Sequence, residues 1–477
     1  MSAMQSEDRK RWLALMVLCL GVVMIVLDST IVNVALPSIR EDLKFNEASL
    51  VWVVNAYMLT SGGFLLLGGK LGDILGNRRV FIAGLALFTL TSLICGLSTS
   101  QFVLVAARAV QGLGGAVVIA VALALIMTTF SEETERAKAM GVYGFVCAAG
   151  GSIGVVLGGV LTSAFSWHWI FLVNVPIGVA VIALSLKLID GRPGAARDEK
   201  LDIWGAVTVT SALMLAVYAI VNGNEAGWTS VATLGTGAIA ALLFVAFILI
   251  EGRVAEPLMP LGLFRHRNLA ISNVIAILWA AGMFGWFFIS ALYMQIVLGY
   301  SSMQVGLAFL PADLVMAVFS LGLSAKLINL YGTKLPLTVG LGLAALGLAL
   351  FAGGPVDGSY WLHIFPGMML LGVGGGVAFN PMLLIAMGDV DESESGLASG
   401  IINTSFMMGG ALGLAVLASV AAGQTSASLA TGEAQNVALT AGYQAAFIGG
   451  AIFTAIGALL SGIALRPKAT IAVVQSH

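Results

Sequence analysis

What most limits the folds open to this chain is a succession of fourteen apolar runs, each long enough to cross a bilayer. They fall near 12–36, 49–68, 79–98, 102–129, 138–162, 168–189, 202–222, 231–250, 268–298, 303–328, 335–353, 360–387, 397–421 and 442–465. A helix needs about 20 apolar residues to cross a hydrocarbon core of roughly 30 Å, and charges or clusters of Gly, Asn and Pro part each run from the next. Composition agrees, with 59% hydrophobic and 10% charged residues and a mean hydropathy of +1.00, far from the soluble norm. The expectation is an all-α membrane protein surrounded by a lipid bilayer.

The first run follows Arg9, Lys10 and Arg11, as in a signal peptide, but it continues to Leu36 with no small-residue cleavage site, so it reads as a retained helix. Cys19, Cys95 and Cys147 all lie inside apolar runs without metal-like spacing, which supports neither a disulfide framework nor a metal site.

An even number of spans puts both termini on one side. Of the 22 Lys and Arg residues, 19 then fall in loops on that side. Arg40 and Lys44 fall opposite, and Arg108 lies within a helix. Positive residues mark cytoplasmic loops, so both termini are expected in the cytoplasm, with the chain in the cytoplasmic (inner) membrane. One missed helix would reverse every later loop. The net charge of −2 gives no hint of a nucleic-acid partner.

The chain also repeats itself. Gly69-Lys70-Leu71-Gly72-Asp73-Ile74-Leu75-Gly76-Asn77-Arg78 aligns with Ala325-Lys326-Leu327-Ile328-Asn329-Leu330-Tyr331-Gly332-Thr333-Lys334 at an offset of 256. Gly112-Leu113-Gly114-Gly115 matches Gly372-Val373-Gly374-Gly375 at 260, and Gly150 to Gly154 matches Gly409 to Gly413 at 259. Spans 1 to 6 thus recur as spans 9 to 14 in the same orientation, with spans 7 and 8 inserted. The implied division is 1–190, 191–265 and 266–477. Two parallel six-helix halves are the architecture of major facilitator transporters, with the substrate site between the halves.

Several motifs carry a closer resemblance. Leu27-Asp28-Ser29-Thr30-Ile31-Val32-Asn33-Val34-Ala35-Leu36-Pro37 resembles the first-span signature of the fourteen-helix drug:proton antiporter family. Gly69 to Arg79 resembles the superfamily's loop motif, Arg108 to Gly115 its Arg-x-x-Gln-Gly motif, and Trp167 to Gly178 the family's start of span 6. Two positions depart from the pattern. Val155 stands where the span 5 motif Gly-Pro-x-x-Gly-Gly has proline, and His168 stands where the family usually has Arg. The resemblance implies efflux of lipophilic, cationic drugs in exchange for protons by alternating access, without enzymatic chemistry or a cofactor other than the proton gradient. A proton-coupled symporter or facilitator for a small metabolite is the alternative that Val155 keeps open. Nothing suggests an obligatory oligomer, so function as a monomer is expected.

Ionisable groups within the membrane cost about 2.5 to 3.5 kcal/mol on insertion scales and are functional candidates by default. Three charged residues sit deep in the spans: Asp28, Arg108 and Asp313. At about 1.5 Å per residue Asp28 lies roughly 24 Å above the inner face and Arg108 roughly 10 Å beneath the outer one, so their depths coincide. They form either a proton- or cation-handling pair or a static pair that orients the helices. Asp313 lies about 15 Å into span 10, just after Pro311. It is placed either to load and release protons, or to attract a cation, or to bond a neighbouring helix.

Span 9 carries Trp279, Phe284, Trp286, Phe287, Phe288 and Tyr293, and span 2 carries Tyr57. Such rings hold apolar cations by burial and cation–π attraction, although at helical spacing they equally serve packing. Trp279, Trp286, Phe287 and Tyr57 are the cavity candidates. The family match implies a gating role for Asp73, Arg78 and Arg79, with Arg136 as the partner of Asp73. Gly150, Gly154 and Gly158 recur every four residues, a stripe for close helix approach, and the resemblance assigns Gly154 and Gly158 to closure of the outer interface. Gln111 to Ala116 is glycine-rich, but no strand precedes it, so no nucleotide site is expected.

Overall fold

The computed structural model describes residues 2–130, 132–191, 201–391 and 394–466. Arg192, Arg197, Lys200 and Lys468, four of the loop cations counted above, lie outside the described residues, as does the side chain of Cys147. Among the described residues fourteen helices correspond to the fourteen runs: α1 Ser2–Leu43, α2 Trp52–Leu75, α3 Asn77–Gly96, α4 Gln101–Thr129, α5 Glu133–Ala164, α6 Asn174–Leu188, α7 Ile203–Ala226, α8 Val231–Glu251, α9 Arg267–Leu292, α10 Ser302–Val318, α11 Lys334–Phe351, α12 Phe365–Met387, α13 Ser395–Ala430 and α14 Gln435–Ala464. Helices satisfy every backbone group within one segment, which is what a hydrocarbon solvent demands. α10 continues through a π turn, Phe319–Leu323, into Ser324–Tyr331, and that extension supplies the length its span requires.

The helices pack in two matching sets. In the first six, α1 packs on α5 and α6, α2 and α3 pack on α4, and α3 packs on α6. In the last six, α9 packs on α13 and α14, α10 and α11 pack on α12, and α11 packs on α14. Adding eight to each helix number converts one set into the other. The main contacts between the sets are α5 with α10 and α2 with α13, and the same exchange interconverts these two. The inserted helices break the symmetry, because α7 packs on α2 and α13 while α8 packs on α7. α8 turns Leu242, Phe244, Val245 and Leu249 outward, as a helix facing lipid would.

The repeat has a local cause. Gly76 turns the chain between α2 and α3 with φ at 95°, and Gly332 does the same between α10 and α11 at 74°. Glycine occupies this left-handed region without the steric cost of a Cβ. The start of α1 and the end of α14 lie on the same side of the bundle as these turns, hereafter the side of the chain ends. There Lys10 pairs with Asp190 at 2.6 Å, joining the start of α1 to the end of α6, and Asn268 donates to the Arg466 carbonyl at 2.8 Å, joining the start of α9 to the end of α14.

Candidate functional site

The centre of the first six helices holds a buried polar network. Asp28 on α1, Arg108 and Gln111 on α4, and Ser92 on α3 are wholly buried, and Asn174 on α6 nearly so. Arg108 Nη1 donates to Asp28 Oδ2 and to Gln111 Oε1 at 2.7 Å. Asp28 Oδ1 accepts from Gln111 Nε2 at 3.0 Å and from Asn174 Nδ2 at 3.0 Å. Asn174 reaches Ser92 Oγ at 3.1 Å, and Ser92 donates to the Phe171 carbonyl at 2.9 Å. Arg108 Nε donates to the Val53 carbonyl at 3.0 Å. Five helices thus join one network around a carboxylate whose two oxygens are both partnered. A buried charge is tolerable on those terms.

Arg108 and Gln111 are three residues apart and share a helix face, so both sit in the quoted Arg-x-x-Gln-Gly motif for one geometric reason. Sequence reasoning missed Gln111 and Asn174 as partners of Asp28, and Ser92 behind Asn174. The first two lay inside motifs already in view, whereas Ser92 carried no signal. Tyr57, expected among the cavity aromatics, lies inside the first six helices beside Arg108. It is almost fully buried, with the Arg108 guanidinium 4.3 Å from its ring centroid, and its ring serves as a platform for that cation.

Asp313 stands apart from this network. It is buried on α10, and its Oδ2 has no hydrogen-bond partner. One turn earlier, the Phe309 ring stacks on Phe287 at 5.3 Å and meets Trp286 edge-on at 5.5 Å. Trp279 and Trp286 line a small cavity with Met283, Met316 and Leu371 inside the last six helices. Trp279, Phe284 and Phe379 also close around Phe406, at 5.5, 5.8 and 6.2 Å. Phe287 therefore packs on α10, and Phe379 and Phe406 join the aromatic set that span 9 alone suggested.

α5 presents two glycine faces. A Cβ at Gly154 would lie 2.1 Å from Thr30 Oγ1, and one at Gly158 would lie 2.7 Å from the Ile31 carbonyl. The stripe that includes them faces α1 within the same six helices, not the second set. Gly159, one position on, meets α10: a Cβ there would lie 2.7 Å from the Ser302 carbonyl. Gly306 of α10 sits against the Val155 carbonyl, where its Cβ would be 2.8 Å away. Hydrogen bonds reinforce this closure on the side opposite the chain ends. Gln295 Nε2 donates to the Val34 carbonyl at 2.9 Å, Ser302 Oγ to Gln295 Oε1 at 3.2 Å, and the Met303 amide to Ser163 Oγ at 3.2 Å.

On the side of the chain ends, Arg78 Nη2 donates to the Leu186 carbonyl at 2.5 Å in the last turn of α6. Its charge suits a helix C-terminus. Asp73 and Arg79 are exposed at the α2–α3 turn, and Arg136 is half-buried in the first turn of α5. Among the described residues no three His, Cys, Asp or Glu side chains gather into a group that could hold a metal ion.

Two symmetric sets of membrane helices meeting at glycine-lined crossings, with acids buried inside them, define a multi-pass transport protein. The chain belongs to the Major Facilitator Superfamily, whose family model matches residues 18–414. It is 40% identical to the cephamycin export protein CmcT of Amycolatopsis lactamdurans, over 94% of this chain and 92% of that one. It is 37% identical to the puromycin resistance protein pur8 of Streptomyces alboniger, over 90% and 85%. An auto-inhibited peptide transporter of the POT family shares the fold, with a TM-score of 0.67 at 16% identity, covering 95% of this chain and 96% of that one.

Proposed function

We propose that this protein exports lipophilic, cationic compounds across the cytoplasmic membrane in exchange for incoming protons. The observation that carries the reading is the contrast between two acids. Asp28 has both oxygens partnered, whereas Asp313 buries an oxygen with no partner on α10, the helix that crosses to the other six. An unmatched acceptor in a low dielectric costs roughly 2 to 7 kcal/mol. A proton or a cation relieves that cost, and one carboxylate cannot hold both. Competition for Asp313 is the coupling.

Asp28 and Arg108 then serve chiefly to fix α1 and α4. The aromatic group of Trp279, Phe284, Phe379 and Phe406 supplies apolar, polarisable surface for a cation. Alternating access requires the α5–α10 contact at Gly159 and Ser302 to separate. The relatives named for cephamycin export and puromycin resistance support export of a drug-like molecule. The excess of Lys and Arg on the side of the chain ends supports cytoplasmic termini. The proton gradient is the energy source, with no organic cofactor, and a single chain suffices. In proteoliposomes, Asp313→Asn is expected to abolish pH-gradient-driven dye efflux. Gradient-driven efflux at the wild-type rate in this variant removes the assignment.

A further inference from the structure

The inserted helices carry a second pair of buried acids far from Asp28 and Asp313 in the chain. Asp202 precedes the first turn of α7 and Glu251 ends α8, and both are almost fully buried, at 4% and 3% exposure. Each spends one oxygen on a backbone amide: Asp202 Oδ1 accepts from Gly205 at 2.8 Å, and Glu251 Oε2 from Met259 at 2.9 Å. The remaining oxygens, Asp202 Oδ2 and Glu251 Oε1, have no hydrogen-bond partner. They converge on Gly205, where a Cβ would lie 2.5 Å from the first and 2.6 Å from the second. These are two acceptors facing each other with no donor between them, and the residue beside them is the one type that leaves room.

We propose that Asp202 and Glu251 form a proton-binding site, holding a single shared proton between Asp202 Oδ2 and Glu251 Oε1. Two carboxylates in contact cannot both ionise without a large repulsive cost, and one proton held between them removes it. The other charged groups facing the site are Lys70 of α2 and Glu256 of the α8–α9 connector. Lys70 Nζ lies 3.6 Å from Glu256 Oε2 and donates to the Glu256 carbonyl at 3.2 Å; its charge reaches Glu251 electrostatically, but its hydrogen bond goes to Glu256 and leaves Asp202 Oδ2 and Glu251 Oε1 without a donor. The bound proton clamps the start of α7 to the end of α8. That clamp stands next to Lys70, in the loop motif that begins at Gly69, so the site links proton occupancy to the position of that loop.

The site is tested in full-length protein carrying Asp313→Asn, which removes the acid of the proposed coupling site and makes the result independent of it. In infrared difference spectra this background is expected to show a protonated-carboxyl C=O band that disappears on alkalinisation. The band is expected to be absent once Glu251→Gln or Asp202→Asn is added. Thermal stability is expected to fall with rising pH in the background protein and to lose that dependence in Glu251→Gln, which keeps a donor between the two side chains. Gly205→Ala, whose methyl would intrude on both oxygens, is expected to shift the band's titration, and it provides a second reading if an acid variant folds poorly. A band that persists in both acid variants overturns the proposal. So does recovery of alkaline stability by sodium or potassium chloride, but not choline chloride, since the site would then be a metal-cation site.

Discussion

Arg108 on α4 and Asp28 on α1 are bound directly to one another inside the first six helices, both shielded from solvent. Removing one partner of a buried pair leaves the other uncompensated and typically costs about 3–5 kcal/mol. Arg108→Leu and Asp28→Asn are therefore each expected to destabilise the protein by an amount of that order, the second because it leaves the Arg108 charge uncompensated and turns an amide NH2 toward the Gln111 and Asn174 donors. A double-mutant cycle on denaturation of the purified protein checks this. Strict additivity of Asp28→Asn and Arg108→Leu would show that the pair is not coupled.

Asp313 predicts the opposite pattern. Its unpartnered oxygen contributes nothing that Asn would lose, so Asp313→Asn is expected to change stability by about 1 kcal/mol or less, or to raise it. Transport driven by a pH gradient is expected to vanish while energy-independent substrate exchange continues. Measuring both on one preparation separates coupling from folding.

The spans, their order and the depth match of Asp28 with Arg108 were legible in the sequence, because hydropathy and rise per residue fix them. The partners that complete the site were not. Gln111 and Asn174 reach Asp28 from α4 and α6, and only the packing of those helices on α1 brings them together. The faces of α5 were hidden for a related reason. Gly158 and Gly159 are neighbours in sequence, but one residue turns a helix by about 100°, so one meets α1 and the other α10. Asp202 and Glu251 meet only because α7 and α8 run antiparallel.

That rotation gives a third prediction. Gly159→Leu places its side chain against Ser302 and Met303, so it is expected to hold the α5–α10 contact open on the side opposite the chain ends. A cysteine at Ser163 is then expected to react with a membrane-impermeant thiol reagent faster than in the Gly159 parent. Gly158→Leu is expected instead to disturb α1 packing, at a cost of about 1–3 kcal/mol, without that gain in labelling. Equal labelling in the two variants would contradict the assignment of faces.

Arg78 supports a fourth. Its bond to the Leu186 carbonyl ties the α2–α3 turn to the end of α6. Arg78→Ala is expected to cost about 1 kcal/mol from the lost helix-end interaction and to raise hydrogen exchange at the last turn of α6. Arg78→Lys is expected to restore part of the protection.

Exchange of a proton for an outgoing cation is what we propose for this protein. The direct measurement is the direction of flux in proteoliposomes with oriented protein, an imposed pH gradient and a fluorescent lipophilic cation, recording internal pH and dye together. Dye is expected to move against the proton flow, and dye added alone to drive protons the other way, both effects being lost in Asp313→Asn. Dye and protons moving in the same direction would contradict it and leave a symporter on this fold.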